Sequence, residues 1–235
     1  MAVCCAAGPG LAGCGVFEAP SAPPGMQQQL ANGDRVGAAT RAHAARPQEP
    51  AGRSSGQHQV PGGDVTAIGD SVMSASAPAL ADVLPGIYID AKPDREMPAG
   101  VTIVRRLAAS GKLRPVVVIG LGTNYIVTSG QLQELLHIIG PHRKLVLINT
   151  YVPDGWSKQV NATDAAFIRR HPDVVLADWY DTIKDRLYLL WPDQVHPMVP
   201  GTMVYARMVD QAIQATRGTG ASPGSQNVVA DHPGS

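Results

Sequence analysis

Val65-Thr66-Ala67-Ile68-Gly69-Asp70-Ser71-Val72-Met73 is the stretch on which the reading of this chain turns. Four apolar or β-branched residues form a strand, Gly-Asp-Ser forms a tight corner, and Met73 to Leu84 has the composition of a helix. Such a corner lifts Ser71 out of the sheet at the carboxyl end of the strand. Its hydroxyl then lies beside the partial positive charge of a helix N-terminus. Ligands of open α/β sheets bind outside the carboxyl ends of the strands, so the serine is placed for chemistry. Taken by itself, the corner is better explained by Asp70 or Ser71 capping the helix, and the later stretches reverse that reading.

Two later stretches add to it. Gly120-Leu121-Gly122-Thr123-Asn124 closes the strongly apolar run Val116-Val117-Val118-Ile119, and an Asn at that point can aim its amide at a developing oxyanion. Asp193-Gln194-Val195-His196 lies in a loop carrying Pro192, Pro197 and Pro200, ahead of a last helical segment. A serine needs a base to become a nucleophile, and the base needs a partner that fixes its tautomer. Asp193 and His196 supply both on one loop.

The same alternation continues along the chain. Strand-like runs at 65–69, 86–91, 115–120, 144–150 and 174–178 are separated by helical periodicity at 72–84, 99–110, 129–139 and 157–170, with a final helix at 201–216. Short apolar strands separated by helices predict an α/β fold of three layers, α/β/α, around a five-stranded parallel sheet of flavodoxin-like order. In that layout Ser71 and Asn124 follow the first and third strands and share one sheet edge. The loop with Asp193 and His196 folds back over the same edge.

Strand-Gly-Asp-Ser, strand-Gly-x-Asn and a late Asp-x-x-His resemble the SGNH (GDSL-like) hydrolase superfamily. The pattern looks most similar to the extracytoplasmic domain of peptidoglycan-type O-acetyltransferases. Gly69-Asp70-Ser71-Val72-Met73, Ile89-Asp90-Ala91-Lys92 with Arg95, and Gly122-Thr123-Asn124 carry that resemblance, which covers residues 64 to 215. It implies a nucleophile at Ser71, a base at His196 oriented by Asp193, and an oxyanion hole made by Ser71, Asn124 and Asp94. It also implies substrate contacts from Trp191, Tyr125 and Arg95. No metal or cofactor is implied. The expected partners are an acyl or acetyl donor, a glycan acceptor and a membrane acyltransferase module, with the chain a monomer. Esterase activity, or a silent module that binds a glycan or partner, are the alternatives. Three positions depart from the family pattern: Asp94 and Gln194 stand where Gly (or Ser, for Asp94) is usual, and Tyr125 follows Asn124 where Gly is usual. If the position after Asn124 needs φ > 0, Tyr125 carries a steric cost that Gly avoids, and an Asp94 carboxylate turned inward would oppose negative charge in the transition state.

Composition frames this reading. The 235 residues carry 19 basic and 19 acidic side chains and are 44% hydrophobic. A real core is affordable, and no basic tract marks a nucleic-acid footprint. Cys4, Cys5 and Cys14 all precede the domain, leaving it without disulfide or thiolate metal chemistry. Residues 1–16 read as a signal and lipobox (Leu11-Ala12-Gly13-Cys14) or a membrane-helix remnant, 17–63 as a flexible tether, and 216–235 as a disordered tail. An extracytoplasmic module, membrane-tethered or lipid-anchored, is the expectation. Gly120-x-Gly122 lacks the third glycine of a dinucleotide loop. His137 and His142 read as solvated residues at a helix end.

Overall fold

The computed structural model describes residues 22–44, 59–153 and 155–218. In chain order the elements are α1 (Pro24–Ala44), β1 (Val65–Gly69), α2 (Ser71–Val83), β2 (Tyr88–Ala91), α3 (Met97–Ala109), β3 (Val116–Gly120), α4 (Ser129–Ile139), β4 (Lys144–Ile148), α5 (Trp156–Arg170), β5 (Val175–Ala177), α6 (Trp179–Ile183) and α7 (Val199–Ala215). The five strands are all parallel, in the order β2-β1-β3-β4-β5. That is the flavodoxin-like order, in which the chain reverses its winding between β1 and β3 and opens a crevice at their carboxyl ends.

β1 and β3 are buried along their whole length, as all-parallel strands covered on both faces must be. Alternate residues feed two cores. Val65, Ala67, Val118, Val146 and Ile148 pack with Met73, Leu80, Trp179, Tyr205 and Ile213 from α2, α6 and α7. Ile68, Val117, Ile119, Leu145 and Leu147 pack with Val104, Leu132, Leu135 and Phe167 from α3, α4 and α5. The register pairs Gly69 with Gly120 across β1 and β3. Both strands therefore end level, and the loops that follow them meet.

The expected tether over residues 17–63 is corrected at 24–44. This segment is a 21-residue helix packed against α2 and the edge strand β2. It lacks an apolar period because the residues it buries are Met26, Gly33 and Gly37. Glycines one turn apart let two backbones touch: a Cβ at Gly33 would lie 1.8 Å from the Ser74 carbonyl oxygen of α2. Further along, Thr40 Oγ1 accepts from Ile89 N (3.1 Å) and Arg41 Nη1 donates to Ile89 O (3.0 Å). Side chains of α1 thus occupy the open edge of β2, which would otherwise offer unpaired backbone groups. The short α6 was also not foreseen; Asp178 caps it, accepting from Asp181 N at 2.9 Å. Residues 1–16, with the lipobox-like Cys14, and the tail beyond 218 lie outside the described residues. Among the described residues no helix is long and apolar enough to cross a membrane.

Candidate active site

The corner after β1 is built from its packing. A Cβ on Gly69 would stand 2.4 Å from Met73 Cβ, so only glycine fits. Asp70 N donates to Gly120 O (3.2 Å), extending the β1–β3 pairing by one residue. Asp70 then caps α2, its Oδ1 accepting from Val72 N at 3.0 Å. Ser71 is the first residue of α2 and 6% exposed. First-turn amides of a helix have no intrahelical partner, so the Ser71 N–H points outward from the helix end.

Asp70 is itself unusual. It is 1% exposed, and burial raises its pKa from the usual 3.8 to about 6. The neighbouring Thr123 and the Val72 amide oppose the rise without cancelling it, and Oδ2 has no hydrogen-bond partner among the described residues. Behind it lies a cavity of about 10 Å³ lined by Thr123, Asn149, Thr150, Trp179 and Tyr205. Burial and the Asp70 charge together push the Tyr205 phenol well above its ordinary value.

The loop carrying Asp193 and His196 is a closed hairpin-like excursion. Leu190 and Pro197 form an antiparallel bridge at its neck. Trp191 N donates to His196 O (2.8 Å), and Met198 N donates to Leu189 O (2.8 Å). Within it, Asp193 Oδ1 accepts from Val195 N (2.9 Å) and His196 N (3.1 Å), while Oδ2 meets His196 Nδ1 at 2.7 Å. Burial of Asp193 works against its ionisation. The Val195 amide and the His196 ring and amide outweigh it, and the net pKa falls below the usual carboxylate value. The carboxylate therefore stays ionised and fixes the ring with Nε2 as the free nitrogen. That Nε2 is buried and has no hydrogen-bond partner among the described residues. The charge of His196 is felt at Asp70, where it adds the smallest of the influences that lower that group's pKa. No hydrogen bond joins Ser71 Oγ to Nε2; such contacts are often long in ligand-free sites and tighten with substrate.

Asn124, one residue past Thr123 in the loop after β3, donates from Nδ2 to Arg95 O at 3.2 Å and keeps its second amide hydrogen. Arg95, expected at the substrate, is also tied into the fold. It borders an open cleft of about 670 Å³ with Lys92, Pro93 and Asp94. Its guanidinium, however, donates to Asp90 Oδ1 (2.8 Å), Gly69 O (3.1 Å) and Asp90 O, and its side chain is 9% exposed. Trp191, likewise expected at the substrate, has its ring over Gly25 of α1 and donates from Nε1 to Gln29 Oε1 (3.2 Å). Tyr125 stands at the rim, 59% exposed. The three departures from glycine separate here. Asp94 (φ 59°) and Gln194 (φ 55°) do adopt left-handed backbone, whereas Tyr125 does not; Gly122, at φ 135°, takes that conformation in its loop.

No protein-family model matches the chain. Peptidoglycan O-acetyltransferase OatA of Listeria monocytogenes is 34% identical over 143 residues, which is 61% of this chain and 23% of that protein. The C-terminal catalytic domain of OatA from Streptococcus pneumoniae superposes with a TM-score of 0.57 at 23% identity, covering 66% of this chain and 94% of that one. A family 3 carbohydrate esterase of Clostridium thermocellum superposes with a TM-score of 0.53 at 16% identity, over 66% and 96% of the two chains. The fold is that of the SGNH hydrolases. Within that class, the sequence relatives of this chain are peptidoglycan O-acetyltransferases, of whose length it spans about a quarter.

Proposed function

We propose that the domain carries out serine-dependent acyl transfer, moving an acetyl group onto a hydroxyl of a cell-envelope glycan outside the cytoplasm. The observation that carries this is the Asp193–His196 pair at 2.7 Å, whose buried Nε2 has no hydrogen-bond partner among the described residues, on a loop whose charge is felt at Asp70 next to Ser71. Similarity to the O-acetyltransferases supports the choice of acyl group and acceptor.

In the first half-reaction, Ser71 Oγ attacks the ester carbonyl of the donor and gives its proton to His196 Nε2. Asp193 stabilises the imidazolium that results. The oxyanion is met by the Ser71 N–H, the second Asn124 amide hydrogen and the Asp94 N–H, donors that act where charge develops. Collapse expels the donor alcohol, which takes the proton from Nε2 and leaves acetyl-Ser71. In the second half, Nε2 removes a proton from the acceptor hydroxyl, whose oxygen attacks the acyl-enzyme. The proton returns to Ser71 Oγ as it departs. A donor could be delivered by a membrane acyltransferase module acting on the same glycan.

Water as acceptor would make the same site an acetylesterase, and similarity in fold to carbohydrate esterases favours that second reading. A silent binding module is motivated by the left-handed Asp94 and Gln194. Labelling by a fluorophosphonate probe that is lost in Ser71→Ala supports the serine chemistry, and folded protein that never labels refutes it. Turnover of p-nitrophenyl acetate that rises when glycan oligomers are added, with acetylated oligomer as product, identifies transfer. Free acetate as the unchanged product identifies the esterase.

A further inference from the structure

One side chain of α1 touches both halves of the proposed machinery. Gln29, on α1, donates from Nε2 to Pro197 O at 2.7 Å and accepts at Oε1 from Trp191 Nε1 at 3.2 Å. Trp191 and Pro197 flank Asp193 and His196, so this single amide spans the neck of the base loop from outside. The same Nε2 lies 3.5 Å from Ala75 O, on α2, the helix that begins at Ser71. Gln29 is therefore fixed between the helix of the nucleophile and the loop of the base.

The helix that carries it is not free to slide. Gly33 sits against the Ser74 carbonyl with no room for a Cβ, and Ser74 Oγ donates to Asp34 Oδ1 at 2.9 Å. Thr40 and Arg41 fasten the other end to Ile89. The Trp191 ring covers Gly25, where a Cβ would stand 2.9 Å from it. Every one of these contacts constrains α1 against α2, β2 or the loop, and among the described residues of α1 it is Gln29 that bonds on both sides of His196.

The geometry points to Gln29 as a positioning residue: its amide sets the distance and orientation of the His196 imidazole relative to Ser71, making α1 part of the acyl-transfer machinery. The catalytic consequence rests on the serine–histidine reading above. The mechanical claim does not. Proton transfer requires the base within hydrogen-bond reach, and misplacement by about 1 Å can cost on the order of 100-fold in rate. A loop released at its neck would lose turnover while an exposed cleft keeps its affinity.

The test uses the full chain with Q29L, Q29E and W191F, and Q28L as a control at an exposed neighbour on α1. Q29L is expected to lower kcat for p-nitrophenyl acetate by about 10- to 100-fold with KM unchanged. Q29E keeps the acceptor for Trp191, loses the donor to Pro197, and is expected to fall between. W191F, which replaces the indole by a smaller phenyl ring and removes the N–H, is expected to lower kcat less than additively with Q29L, because the two side chains share one hydrogen bond. Hydrogen exchange at the Val195 and His196 amides, which bond to Asp193 Oδ1, is expected to quicken by about 10-fold in Q29L while the amides of β1 and β3 keep their rates. Unchanged kcat in both Gln29 variants with wild-type exchange at 195 and 196 overturns the inference, as does an equal loss in Q28L. If wild type neither labels nor turns over, the serine chemistry fails on its own, and the exchange comparison still decides the clamp. Should Q29L not fold, Q29E and W191F carry the same comparison.

Discussion

Replacing Asp70 by Asn is expected to stabilise the protein above pH 7 and slow it. The carboxyl, on the residue before Ser71, is buried, with a pKa of about 6 against 3.8 for an unburied aspartate. Between those values the folded protein holds a proton that the unfolded chain has released. Stability from this group is thus fully present below about pH 3.8 and is lost as pH rises to about 6. The difference of about two units corresponds to roughly 3 kcal/mol at pH 8, and to about 1 kcal/mol at pH 4.5, where both states are partly protonated. Asn caps a helix about as well as Asp, so the bond from Val72 N survives. Loss of a negative charge at the N-terminus of α2 gives back about 0.3–1 kcal/mol. The net expectation is a gain of about 2 kcal/mol at pH 8 and little change at pH 4.5.

Urea unfolding of wild type and Asp70→Asn, followed by tryptophan fluorescence at the two pH values, reads this directly. A shift in midpoint at unchanged slope is the clean signature of altered native stability. Ester turnover is expected to fall several-fold in the same variant, because the Asp70 and His196 charges attract one another and an imidazolium forms during the reaction. Equal stability changes at pH 4.5 and pH 8, or a loss at pH 8, would refute the claim that burial sets the state of this carboxyl. Gain of stability paired with loss of rate would instead mark a functional cost retained in the fold.

Three other substitutions test separate parts of the structure. Asp164, buried on α5 with its pKa raised by burial to about 7, follows the same sign: Asp164→Asn is expected to raise Tm at pH 8 far more than at pH 4.5, with turnover intact. Asn124→Ala is expected to lower kcat by about 10²–10³ while fluorophosphonate labelling of Ser71 slows in step; wild-type kcat would remove Asn124 from the oxyanion hole. Gln194→Gly relieves about 1–2 kcal/mol of left-handed strain and adds about 0.5–1 kcal/mol of chain entropy, so Tm measured by calorimetry is expected to stay the same or rise slightly.

The sheet was legible because its signal is redundant. Five apolar runs, each followed by a turn and a helical period, leave few alternatives once the strands are parallel. Ends moved by a residue or two, as at β2, where 86–91 shortens to Tyr88–Ala91. The proposed chemistry was legible only where residue type and position coincide, as at Ser71, Asn124 and the Asp193–His196 pair. The partners of the longer side chains are not legible in the same way, because neither a backbone carbonyl nor a distant side chain is marked in the sequence. Arg95 turns back onto Gly69 and Asp90 carbonyls, and Trp191 turns onto a glutamine 162 positions away. The α1 helix escaped notice for a related reason: it is held by close backbone approach at Gly33 and by hydrogen bonds, neither of which leaves an apolar stripe.

That omission changes what counts as the domain. Open sheets of this order leave β2 at an edge, and here Thr40 and Arg41 answer the outward N–H and C=O of Ile89. The helix that protects the edge also reaches the base loop through Gln29, about three turns earlier along α1. Edge protection and loop positioning are consequently carried by one rigid body. A helix needed for the first cannot drift without disturbing the second, and the polar face that looked like a tether is the face that couples them.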